Sequence, residues 1–201
     1  MDTTFKPMVL ALLRHVRQLE RDLVAGLTDA ERAATGTGEH HQLAPKHMMS
    51  HVTAAKRREE ARLAALARGE APPADHHTPE QVFAAHEHDL WPQVEAEAEA
   101  VSAALIERSA TLDEHTLAQR FPGTHDEPLL ARILVHGVWH PYGHVADFYR
   151  ARGDIAQVAR LHASFIREVG AMDEWPVLRD DPRSLYNLAC FTALEAVMNP
   201  I

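Results

Sequence analysis

Leu10, Leu13, Val16, Leu19 and Leu23 follow one another at spacings of three and four residues. That is the period of one helix face, and it predicts a first helix over residues 6 to about 27. "LTDAERAA" reads as a cap and one further turn, and "TGTGEHHQ" as a loop. Pro45 opens a second helix, as proline does in a first turn. It carries His47, Met48, His51, Val52, Ala55, Leu63 and Leu66, and "RGEAPPADHH" breaks it. Thr78 and Pro79 supply the N-cap and first position of a third helix running to about Arg108, which Pro92 kinks or splits.

"SATLDEHTLAQRFPGTHDE" is a connector with one short helix. A fourth helix begins near Pro128 and stops before Gly153, with Leu130, Ile133, Val138, Val145 and Phe148 on one apolar arc. No segment alternates with period two, so the fold class is all-α. Four amphipathic helices predict a four-helix bundle over residues 1–153. Residues 154–201 follow as a C-terminal helical extension of the same domain, two extra helices (154 to 171 and 182 to about 197) packed on the bundle.

Composition changes this picture little. Charge changes it more: the formal net charge is −9 with histidine neutral, and no basic run offsets it. Such a field repels phosphate backbones, so no nucleic-acid partner is expected. "KRREEAR" (56–62) reads as a solvated helix face with i,i+4 ion pairs. The single Cys190 excludes an internal disulfide and a CxxC motif. The opening apolar run is too short to export or span, so the expectation is a cytoplasmic protein that does not enter a membrane.

Candidate chemistry lies in the histidines, 15 of 201 residues. "VHGVWHPYGH" spaces His136, His140 and His144 four apart. Each such step drifts about 40° around a helix, so the three form one ridge. His144 faces closest to the core, His140 its border, and His136 leans toward solvent. Pro141, Gly137 and Gly143 weaken that turn. The inward pair is either a pair of core-edge histidines bonded to carboxylates or carbonyls, or half of a metal site. The second helix offers His51 at the edge of its apolar face and His47 further out. His86 and His88 fall on different faces and read as surface, and His40, His41, His76 and His77 as solvated loop residues.

Two stretches resemble the DinB-like superfamily. "LAPKHMMSHVTAAKRREE" (43–60) is similar to its second-helix segment, and "ILVHGVWHPYGHVADFYRARGD" (133–154) to its fourth, nearest the ClbS/DfsB-like branch. The resemblance implies a four-helix bundle with a three-histidine site at His51, His140 and His144 for a divalent transition metal, zinc or nickel. It implies a metal-dependent hydrolase or thiol transferase acting on a small electrophile, and pairing into a homodimer. His47, His136, Tyr142 and Asp147 are the candidates for supporting or acid/base roles. The alternative is a non-enzymatic bundle that binds or sequesters a small molecule in an apolar pocket lined by Met48, Met49, Trp91, Trp139 and Tyr142. "SLYNLACFTAL" (184–194) resembles one helix of a tetratricopeptide unit, and its simpler reading is a helix packed on the bundle.

Overall fold

A computed structural model describes residues 5–34, 44–71, 73, 78–119 and 128–170. Every regular element among them is a helix, so the chain is all-α over these residues. The elements are α1 (Lys6–Ala25), α2 (Asp29–Ala33), α3 (Pro45–Ala67), α4 (Pro79–His86), α5 (Trp91–Thr111), α6 (Glu114–Ala118), α7 (Leu129–Leu134), a π-helical turn (Val135–Trp139), α8 (His140–Ala151) and α9 (Ile155–Gly170). The expected helix over 182–197, the resemblance at 184–194, Cys190 and four loop histidines (His40, His41, His76, His77) lie outside the described residues.

Local signals account for most boundaries. Thr28 and Thr78 each accept from the backbone N–H three residues on, and Glu31 and Gln81 reach back to the cap N–H. These are reciprocal capping boxes that satisfy otherwise orphaned donors. Gly153, at a φ of 73°, ends α8 in the left-handed region that glycine enters freely. The third predicted helix is two, α4 and α5, with Pro92 in the first turn of the second. There the missing N–H of proline costs nothing. Glu114 accepts from the N–H groups of Phe5 and Lys6 at 2.9 and 3.0 Å. A carboxylate from α6 thus caps α1, where the helix dipole favours negative charge.

α1, α3, α5 and the α7–α8 stretch share one core. α3 packs along α5, α1 against α5 and α8, and α9 against α1 and α8. Leu12, Val16, Met49, Leu63, Leu105, Ile133, Val138 and Val145 are all buried there. α4 covers one side of α3.

"KRREEAR" is not the solvated face its charges suggest. Lys56 is 4% exposed and Glu59 0%. Met49, Val52, Lys56, Glu59 and Leu63 are spaced three and four apart, so the two ions stand on the core ridge of α3. Lys56 Nζ donates to both carboxylate oxygens of buried Glu20, at 2.5 and 2.6 Å, and to Ser102 Oγ at 3.3 Å. Glu59 receives Arg62 at 3.1 Å and has Arg132 at 3.8 Å. Pairing is what allows these charges inside.

Candidate metal centre

The fourth helical stretch changes its winding just before the histidine pair. The His140 N–H donates to the Val135 carbonyl, five residues back, so Val135–Trp139 forms a π turn rather than an α turn. Pro141, which has no N–H to give, then stands in the first turn of α8. The proline that a continuous α-helix would resist is thus placed where a helix begins. The bulge also presses the backbone inward at Gly137. A Cβ there would lie 2.4 Å from Leu13 Cδ2 and 3.1 Å from Leu105 Cδ2, so only glycine fits without moving the core.

α8 starting at His140 aims two imidazoles at α3. His140 Nε2 stands 3.0 Å from His51 Nε2 and 3.1 Å from His144 Nε2. The ring centroids are 4.8, 5.1 and 4.7 Å apart, with interplanar angles of 75° to 83°. Three imidazole edges therefore converge on one point from three directions. His144 is buried, while His51 and His140 are half-buried.

Hydrogen bonding alone is a poor account of this triangle. A neutral imidazole Nε2 has one in-plane position, filled by either a proton or a lone pair. His140 Nε2 faces two nitrogens, so one position cannot serve both contacts well. A cation between three lone pairs satisfies all of them at once. Tetrahedral zinc with bonds of about 2.0–2.1 Å sets its nitrogens roughly 3.3–3.4 Å apart, a few tenths of an ångström beyond the separations here. The donor set and its spacing fit a divalent transition ion.

His51 and His140 also line a cavity of about 900 Å³ between α3, α4 and the π turn. It exists because α3 and α4 present small side chains there, Ala54, Ala55, Ala61 and Ala85 among them. His136 lines it too. The expected lean toward solvent is corrected: the π turn changes the angular step between His136 and His140, and His136 is half-buried in the cavity wall. Burial, then the guanidiniums of Arg58, Arg132 and Arg62, push its imidazole down to about 4. His47 is half-buried with its ring 5.3 Å from that of Phe83, which also sits 6.2 Å from His51.

The other candidates lie elsewhere. Tyr142 is hydrogen-bonded to His162 Nδ1 on α9, and burial pushes its phenol up. Trp139 in the π turn lies 4.8 Å from Phe165 on α9, and Tyr142 on α8 lies 4.5 Å from the same ring, so both fasten this stretch to α9. Asp147 pairs with Arg150 on the surface. Neither Tyr142, Trp139 nor Asp147 lines the cavity.

Two groups at the site were given no role there from sequence. His86, read as surface, is half-buried in the cavity wall, bonded to Asp89 at 2.7 Å with Glu97 at 3.7 Å. His88 is exposed as expected. Arg58, seven residues after His51, also lines the cavity. That spacing places it on the same helical ridge, which was the available signal. No family model, curated protein or solved structure matches this chain.

Proposed function

We propose that the chain is a DinB-like metal-binding protein, a four-helix bundle formed by α1, α3, α5 and α7–α8 with C-terminal helices packed on it, and a metal-dependent hydrolase or thiol transferase acting on a small electrophile. The convergence of three Nε2 atoms at the edge of a cavity carries this reading. His51, His140 and His144 hold the ion, zinc or nickel. When bound, it supplies Lewis acidity that polarises a carbonyl or lowers the pKa of a thiol or water.

The protein's own groups supply the rest. Desolvation keeps His136 neutral at physiological pH, so its lone pair is available to take a proton from a nucleophile in the same cavity. Phe83 packs beside His47 and His51, 5.3 and 6.2 Å from their ring centres. α4 narrows access to the cavity from the side of α3, which limits the water around a reacting group.

Elemental analysis of full-length protein purified without a histidine tag tests the metal. About one equivalent of zinc or nickel per chain is expected, falling to below about a tenth in His51→Ala and His144→Ala. Less than a tenth in the parent protein, with unchanged stability on adding either ion, rejects the metal. Turnover with a small electrophile and a low-molecular-weight thiol then separates catalysis from sequestration. Product in many-fold excess over protein, lost in the same two variants, identifies an enzyme; a single stoichiometric binding event identifies the non-catalytic alternative.

A further inference from the structure

Two histidines besides the triad line the cavity, His136 from the π turn and His86 from α4, and their surroundings differ in sign. The guanidiniums of Arg58, Arg132 and Arg62 act on His136 and oppose a positive charge there. His86 faces carboxylates: its Nδ1 stands 2.7 Å from Asp89 Oδ2 and 3.7 Å from Glu97 Oε2. An ionised carboxylate only accepts, so Nδ1 is the donor and carries the proton. In the neutral ring the lone pair then belongs to Nε2, at the opposite edge. No described residue bonds that nitrogen, and His86 belongs to the cavity wall.

The arrangement is braced from α3. Lys46 Nζ donates to the carbonyls of Glu87 and Asp89, at 2.7 and 3.2 Å. The Asp89 N–H donates to the His86 carbonyl at 3.2 Å, closing the turn that brings the two side chains together. Arg57 pairs with Glu97 through the carboxylate oxygen nearer to it, leaving the other toward His86.

We propose that His86 and Asp89 form a proton-transfer pair on the α4 wall of the cavity, with Nε2 of His86 taking and returning the proton and Asp89 positioning the ring. This adds a group to the reaction proposed above and rests on that reading. The nucleophile's S–H or O–H bond breaks as an N–H bond forms at Nε2, and the electron pair stays on sulfur or oxygen. That pair makes the new bond to the electrophile's carbon. The bond to the leaving atom then breaks, and the leaving atom keeps that pair and takes the proton back from Nε2. While His86 holds the proton, its charge lies beside Asp89 and Glu97. His136, among guanidiniums, holds a proton only in passing. A carboxylate that fixes one nitrogen of a histidine turns the correct nitrogen toward the reactant.

Long-range proton–nitrogen correlation NMR of full-length protein labelled at histidine reads the tautomer, with His86→Gln assigning the resonances. The Nδ1–H tautomer is expected at His86, shifting toward Nε2–H in Asp89→Asn, whose amide donates to Nδ1. Diethyl pyrocarbonate, followed by peptide mass spectrometry, reads the reactivity of Nε2, and Asp89→Asn is expected to remove most of the acylation rate at His86. Turnover is measured with p-nitrophenyl acetate, using water and β-mercaptoethanol as nucleophiles. Its kcat/KM is expected to fall about a hundredfold in His86→Gln, and less in Asp89→Asn, with metal content and helicity unchanged.

An Nε2–H tautomer in the parent protein overturns the proposal, as does acylation of His86 that Asp89→Asn leaves unchanged, or turnover that survives in His86→Gln. Chelation that shifts both His86 nitrogens, as it shifts those of the triad, also overturns it, because Asp89 and Glu97 are then ligands of an ion. Turnover with no metal bound, lost in His86→Gln, rejects the metal centre and leaves the pair standing. If the parent protein turns over neither nucleophile, the enzyme reading fails, and the pair stands or falls on the tautomer and the acylation alone.

Discussion

Gly137 and Gly143 stand six residues apart on the same helical stretch, yet their surroundings give them opposite roles. At Gly137 an added Cβ meets Leu13 and Leu105 in the core; at Gly143 it meets nothing within 4 Å. Replacing Gly137 by alanine overpacks the core at a cost of about 1–3 kcal/mol, offset by about 0.5–1 kcal/mol of helix propensity. Gly143→Ala gains that propensity without a clash. Chemical denaturation is expected to give a loss of about 1 kcal/mol for the first and a gain of about 0.5–1 kcal/mol for the second. Equal shifts would show that the close approach at Gly137 is not a constraint.

His136 gives a second test at this scale. Its imidazole is held down to about 4 against 6.5 in the unfolded chain. Between those values the unfolded state binds more protons, so stability rises with pH from 4 to 6.5 and is lost as pH falls through that window. In metal-free protein, where no ligand exchange intervenes, His136→Gln is expected to flatten that slope. An unchanged slope assigns it to other histidines, such as half-buried His15 and buried His162, whose imidazoles desolvation also pushes down. The face of His136 was not legible from a 3.6-residue period, because a π turn changes the angular step and nothing in an α-helical projection announces it. Pro141 and Gly137 were the visible signs, and their cost as α-helical residues was legible; where that cost is absorbed was not.

At the scale of elements, α3 carries most of what sequence periodicity misplaces. Its limits follow from Pro45 and "RGEAPP", and His51 falls at the edge of its apolar face as the spacing predicts. Lys56 and Glu59 on its core ridge reverse the usual meaning of a charge. Their partners Glu20, Ser102 and Arg132 come from α1, α5 and α7, so only tertiary structure reveals that the charges are paired. Burial pulls the Lys56 ammonium below the usual lysine range, against the attraction of Glu20.

The pair therefore tests how α1 and α3 are held together. Lys56→Met leaves the Glu20 carboxylate buried without its main partner and is expected to cost about 3–5 kcal/mol. Adding Glu20→Leu removes the stranded charge and is expected to recover at least half of that loss. Denaturant titration of the two variants decides it. A double variant no better than the single one would mean that shape, not charge, sets the cost.

For the whole molecule, the all-helical class was legible because four segments share one strong period and no segment alternates. His140 and His144 were legible from spacing as an inward-facing pair and His51 as a border position on the second helix, while joining the three as one set came from the DinB-like resemblance. The cavity beside the triad was not legible, because its walls come from small residues on α3 and α4 and from a turn between α7 and α8. Acid acts on the molecule in a second window as well. Arg21, and then Arg17, hold the Glu99 carboxylate down to about 2 from 4.5. A depressed carboxylate contributes stability above its unfolded value that is lost as pH falls from 4.5 toward 2. Its half-exposed side chain makes that contribution small and salt-sensitive.

The central claim is that His51, His140 and His144 converge in order to hold one ion. Anomalous X-ray scattering from crystals of untagged full-length protein, recorded across the zinc and nickel edges, measures this directly. One peak is expected, bonded to all three Nε2 atoms at about 2.0–2.1 Å and absent in His144→Ala. No peak at either edge, even after soaking with both ions, would contradict the claim.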